Sequence, residues 1–336
     1  MTDSRQAAPS IAEQVRRVEA DGLVVAVHFL GDLAAFVLGD EALLLASPDG
    51  EKRRIPVHGG AILASAGDDT RVVTGGDDGR LVATDPAGAS TEIASDAKRR
   101  WIDHVALGPD GAVAWSAGKQ TFVRTAKDET RTLDLPSSVG GLAFAPKGFR
   151  LAAGHYSGAT LWFPNAANAK PEFLEWKGSH LAATFSPDGR FLVTAMQEPT
   201  LHGWRLADSK HMRMAGYSAK VRALSWSAGG KWLASSGASE LVLWPFAGKD
   251  GPMGKEPRLL APMDKRVVAV ACHPTQDVVA AGYENGLILL VRIDDGAEIV
   301  INKPSGAPVS AISWNAAGAM LAFGCEDGQA GVLRLK

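Results

Sequence analysis

The chain has little cysteine, almost no charge imbalance and no long apolar run, and each shortage narrows what the protein can be. Two cysteines in 336 residues, Cys272 and Cys325, cannot make a disulfide framework. Both sit inside apolar, strand-like runs, where free thiols pack as core in a reducing compartment. Lys plus Arg (35) against Asp plus Glu (37) leaves a formal net charge of −2. Neither sign is abundant enough to draw the whole molecule toward nucleic acid or an anionic membrane. No uninterrupted apolar stretch of ~18 residues is available to span a bilayer. The polar start, Met1-Thr2-Asp3-Ser4-Arg5-Gln6, carries no basic-then-apolar export signal. The expectation is a soluble cytoplasmic protein with no nucleic-acid or membrane partner.

Catalytic signatures are missing as well. There is no G-x-S-x-G in a strand-to-helix context, no phosphate loop, no H-E-x-x-H and no CxxC pair, and nothing recurs that would seat a redox cofactor. A non-catalytic protein without cofactor or metal is expected. His155-Tyr156 near Asp103 could imitate an acid–base pair, but only if neighbouring repeats align.

What is present is a repeat. Phe185-Ser186-Pro187-Asp188-Gly189-Arg190 lies between two apolar segments, 181–185 and 191–195. Proline presets φ, aspartate bonds its own backbone and glycine takes positive φ, so the hexapeptide reads as a tight hairpin. Residues equivalent to Phe185 are Phe29, Ser65, Leu107, Phe144, Trp226, Cys272 and Trp314, and the separations along the series are 36, 42, 37, 41, 41, 46 and 42. The segments following the turns (112–115, 151–153, 191–195, 232–235, 278–281 and 320–323) lack polar alternation, as strands covered on both faces should. A period near forty with four short strands per unit and no long amphipathic helix is the signature of a β-propeller.

Eight first strands predict eight four-stranded antiparallel blades, with seven as the alternative if the degenerate first unit is irregular. The last unit ends at Lys336 one strand short, and residues 14–19 lie ahead of the first unit where an unowned outer strand would be. The N-terminal strand is therefore expected to complete the C-terminal blade and remove two sheet edges. Residues 1–10 read as a disordered tail, and 11–336 as one propeller domain.

The chain resembles the WD-repeat β-propeller family over nearly its whole length, in a degenerate, bacterial-type form. The resemblance rests on the FSPDGR of 185–190, the GGDDGRL of 75–81 and the third-strand tryptophans Trp162, Trp204 and Trp244. The acidic residue that follows tryptophan in the family is replaced by Phe163, Arg205 and Pro245, and Gly178-Ser179-His180 only approaches the family's Gly-His. The His-Ser-Asp-Trp hydrogen-bond network that the resemblance implies is expected to be largely lost. Phe185, Asp188, Gly189, Trp162, Trp204 and Trp244 are assigned to the structural repeat. The family implies a scaffold for protein or peptide partners, here expected to be a monomer on its own.

Two surfaces qualify for function. The residue preceding each Phe185 equivalent is predicted to face the channel, and all are small except His28; with Asp103 and His104 it could line a channel mouth that takes a metal, a small ligand or a substrate. On the rim where second strands end and first strands begin, loops carry acids (Asp40, Glu41, Asp77, Asp78, Glu198, Glu240, Glu284, Glu326, Asp327) and, beside them, bases with an aromatic (Lys98 to Trp101, Lys220, Arg222, Lys265, Arg266). Asp-Gly and Asn-Gly are ordinary turn chemistry, whereas Arg and Trp are the residues most enriched in interface hot spots. Arg100, Trp101, Asp103, Tyr156, His180, Arg222 and Arg266 are accordingly assigned to partner binding.

Overall fold

A computed structural model describes residues 8–166 and 169–335. The described residues are all β apart from three short 3-10 turns, and no helix among them is long and apolar enough to cross a membrane. Four-stranded antiparallel sheets are formed by residues 24–56, 62–95, 104–134, 224–260 and 267–302, and a closing sheet by Val309–Trp314, Met320–Cys325, Gln329–Arg334 and Arg16–Glu19. The first strands of successive units neighbour one another in chain order, and Val309–Trp314 returns to lie beside Val24–Leu30, so the sheets stand around a channel.

Burial follows the repeat recipe. Ala42–Ala46, Phe191–Met196 and Met320–Cys325 are buried at every residue, while the outer strand Lys52–Pro56 is mostly exposed. Middle strands are covered by the neighbouring sheets, and the core lies between blades. One apolar cluster joins Phe36, Leu38 and Leu44 of the first sheet to Val18, Met320 and Val332 of the closing sheet. Another joins Leu241 and Leu243 to Val279, Tyr283 and Leu289 of the following sheet.

The expected closure is present. Arg16–Glu19 pairs antiparallel with Gln329–Arg334, Val18 opposite Ala330, and the Ala20 amide bonds the Gly328 carbonyl at 3.0 Å. Of the expected tail, residues 1–7 lie outside the described residues. Ser10 bridges Val300 in parallel, and the Val300 amide donates to the Pro9 carbonyl at 2.8 Å.

The count of eight four-stranded blades is corrected. The described residues form seven sheets, and the fourth, spanning 141–214, is a single six-stranded sheet. The strands Leu151–Trp162 and Glu172–Phe185 are unusually long, and the pair Tyr156–Ser179 carries hydrogen bonding from the fourth repeat into the fifth. The cause is local: 172–185 runs on as strand with only Gly178 (φ 106°) to bend it, whereas the next junction, 215–223, contains no strand. The chain folds back within Leu151–Trp162 at Ser157 and Gly158, with φ of 70° and 147°. A Cβ on Gly158 would stand 2.2 Å from the Leu174 carbonyl oxygen, so only glycine fits. Seven was the alternative expected, for an irregular first unit; the number holds, but that unit is a four-stranded sheet with one bulge between Val24 and Ala26, and the departure is in the middle of the chain.

The hairpin used as a ruler is tightly tied. The Gly189 amide bonds the Ser186 carbonyl at 2.8 Å, and the Arg190 amide and the Ser186 hydroxyl both donate to Asp188 Oδ1, at 3.0 and 2.6 Å. Gly189 has φ of 76°, a region that costs a β-branched residue about 1–2 kcal/mol. Gly189→Val is expected to destabilise by that amount in a urea melt, and Gly189→Asn, which tolerates the conformation, to recover most of it.

Candidate protein-interaction rim

One end of most sheets is bound to its neighbour by backbone hydrogen bonds. Ile62 donates to the Asp40 carbonyl, Ile102 to Gly76, Val139 to Gly118, Val267 to Ala238, and Ser305 and Gly306 to Asn285, all at 2.8–3.1 Å. Each bond joins the start of one unit to the end of a preceding strand, which puts the acidic and basic loops of the sequence on one rim. Its backbone is fixed by these bonds before any partner arrives.

The exposed large hydrophobic residues of the rim all lie in its first four units, among charged side chains such as Glu41, Lys98 and Arg99. Among the described residues eight large hydrophobic side chains are exposed, and five of them, Leu23, Val25, Leu63, Trp101 (62%) and Tyr156 (60%), lie at starts of first strands or at the reversal of Leu151–Trp162. Phe173, Leu259 and Ile299 are scattered singly on outer strands. Exposed apolar residues that gather on one surface mark an interaction site, whereas single ones do not.

The predicted contact residues are not equivalent. Arg100 is clamped to Asp96 through Nε and Nη2 at 3.1 and 2.6 Å and also donates to the Ala117 carbonyl at 3.2 Å. Those hydrogen bonds hold the Asp96 carboxyl below the usual carboxylate range and push the Arg100 guanidinium up. Its other role is to hold the loop that presents Trp101. Asp103 accepts from the Ser116 hydroxyl at 2.8 Å. Arg266 donates to Glu284 through Nε at 2.8 Å and through Nη2; burial alone would raise the Glu284 carboxyl, but the bonds from Arg266 outweigh it and lower it. Arg222 is exposed and its guanidinium has no partner among the described residues, although its amide is pinned to the Ser236 hydroxyl at 3.1 Å. His180 is buried, with Nδ1 2.7 Å from the Thr194 hydroxyl and Nε2 3.1 Å from the Trp176 carbonyl, so it shows a partner nothing.

The channel-mouth residues do not converge. His28 hydrogen-bonds Ser65 at 2.9 Å, and burial pushes its imidazole down to about 4. Burial also lowers His104, against the pull of the Asp103 carboxylate. Among the described residues no group of three or more His, Cys, Asp or Glu could hold a metal ion. Cys272 and Cys325 are free thiols, and burial raises them to about 12 and about 11, which leaves them unreactive near neutrality.

A family model of the WD domain, G-beta repeat, matches residues 209–244, and the model of the anaphase-promoting complex subunit 4 WD40 domain matches 269–336. This chain is a WD-repeat β-propeller. Telomerase protein component 1 of Rattus norvegicus is similar to it at 28% identity over 200 residues, and that of Mus musculus at 26%. The match takes in 57% of this chain but 7% of each relative's length. Two solved structures share the fold over 98% of this chain and 99% of theirs: the computationally designed Ika8 protein, with a TM-score of 0.76 at 18% identity, and the RRP9 WD40 repeats, 0.63 at 15%.

The WD-repeat hydrogen-bond network is better kept than the sequence suggested. In the second unit His58 bonds Asp78 through Nδ1 at 3.0 Å and Thr74 through Nε2 at 2.9 Å. In the 224–260 sheet Tyr217 substitutes for the histidine: its hydroxyl meets Ser235 at 2.7 Å and accepts from Trp244 Nε1 at 2.7 Å. The signals were present but permuted, as a His58-Gly59 in reverse order sixteen residues before Thr74 and a tyrosine in a histidine's place. These networks order the strands behind the WD-repeat rim and do not face a partner.

Proposed function

We propose that this propeller is a non-catalytic scaffold that binds a partner protein or peptide on the rim, in the cytoplasm and as a monomer, without nucleic-acid or membrane partners. The observation that carries the reading is the gathering of Leu23, Val25, Leu63, Trp101 and Tyr156 on a surface whose backbone is already fixed. Exposed aromatics on a rigid support lose little side-chain entropy when they are covered. The WD-repeat family, and the relatives with their protein-component name, support a role in assembly over one in catalysis.

The test is affinity capture with the wild-type chain and with Trp101→Ala/Tyr156→Ala. Each aromatic is exposed, so the variant is expected to melt within about 1 °C of wild type while losing its co-purifying proteins. Unchanged capture by the double variant and by Arg100→Glu/Arg222→Glu would place the interaction elsewhere.

A further inference from the structure

The rim contains a small cavity with an unspent cation, and we infer that it receives a carboxylate side chain, Asp or Glu, of the bound partner. The inference rests on the rim being the binding surface and adds what one of its positions reads.

The cavity, of about 170 Å³, lies where the 224–260, 267–302 and closing sheets meet. Its floor is backbone held in place: Gly237 donates to the Val267 carbonyl at 2.9 Å and accepts from the Ala219 amide at 3.0 Å. Gly237 has φ of 101°, and a Cβ there would stand 2.8 Å from the Ala219 carbonyl oxygen. On this floor the buried Ser236 hydroxyl receives the amides of Arg222 and Ala223 at 3.1 and 3.0 Å, which fixes the point from which the Arg222 side chain departs.

The charges around the cavity do not cancel. Arg266 and Glu284 neutralise each other. Lys220 Nζ is satisfied only by the neutral Gln197 amide oxygen, at 2.8 Å. Arg222 has no acceptor among the described residues, and Glu326, the remaining acid of the lining, makes no ion pair with it. Two cations thus face one free carboxylate. Ten of the protein's twenty arginines hold a carboxylate among the described residues, including the rim's Arg100 and Arg266. An unpaired guanidinium over a fixed, partly enclosed floor is a fork that matches a carboxylate in two parallel hydrogen bonds. The volume suits one acidic side chain, and the exposed apolar residues of the same rim supply the area that a single charge pair lacks.

The experiment uses immobilised ten-residue peptides with mixed apolar flanks and one central position set in turn to each of the twenty amino acids and to phosphoserine. The wild-type chain is expected to retain Asp and Glu peptides about tenfold or more over Asn and Gln, the discrimination a charge-assisted bond supplies. Arg222→Gln should erase that ratio, and Arg222→Glu should turn the preference to Lys and Arg, which no loss of folding can imitate. An acidic preference that survives Arg222→Gln overturns the inference, as does selection of phosphoserine over both carboxylates. Peptides retained without any acidic preference overturn it alone, and failure to retain any peptide overturns the rim reading with it.

Discussion

Deleting the residues before Asp21 lowers the melting temperature by at least about 5 °C, because it removes the outer strand of the closing blade. Arg16–Glu19 covers the edge of Gln329–Arg334, and with it go the buried Val15, Val18 and Ala20. Two buried valines alone represent about 3–6 kcal/mol of apolar burial, and in a chain of this size each kcal/mol shifts the midpoint by roughly 2 °C. Further bonds tie the segment to the sheets on either side: Arg17 to the Asn302 side chain, Arg16 to the Pro48 carbonyl, and Lys52 Nζ to the Glu19 carbonyl at 3.1 Å. The uncovered strand would present an unpaired edge, so the truncated protein should also self-associate in light scattering. A truncated chain that melts with the intact one and stays monomeric would show that the ring does not depend on this strand.

Acid should unfold the protein through its histidines, and His202 makes the largest single contribution. Its ring is wholly buried, stacked at 4.1 Å on Trp176 and edge-on to Trp204 at 4.8 Å, and neither nitrogen has a hydrogen-bond partner among the described residues. Burial first, and then the positive neighbours His180, His211 and Arg213, push it down to about 3. A folded-state value below the unfolded one of 6.5 means that the unfolded chain binds the proton more readily. The stability is therefore fully present above about pH 6.5 and is lost as pH falls toward 3, at about 1.4 kcal/mol per unit. Taken alone His202 accounts for about 4 kcal/mol over that window, and His28, lowered to about 4, adds to the same slope. Urea midpoints measured from pH 7 to pH 4 should fall steeply, and His202→Phe, which keeps a flat ring against Trp176, should make the slope shallower. An identical slope in His202→Phe would assign the acid sensitivity to the other buried histidines.

Legibility differed by feature. The repeat, the hairpins and the buried middle strands were readable because each depends on residues within about ten positions of one another: turn chemistry at one offset, apolar residues without alternation, a period near forty. Closure was readable by subtraction, since the last unit lacked a strand and residues 14–19 had none to join. The six-stranded sheet was not, because it depends on whether Glu172–Phe185 runs on as strand through Gly178, which is settled by the pairing of Tyr156 with Ser179 in space. Among the rim residues, Trp101 and Tyr156 emerged as exposed, while His180, equally polar in sequence, turned inward to Thr194.

By itself, then, the sequence determined a WD-repeat propeller, the register of its strands, the strand that closes the ring and the loops that share a rim, since all of these follow from local propensity and period. Only the tertiary structure decided how the repeats group into sheets, which of the rim's arginines is already spent on a carboxylate and which is free, and that a histidine is sealed beneath a tryptophan. Those facts depend on contacts between units, where side chains distant in sequence compete for the same partner. The outcome of that competition is not encoded at any one position.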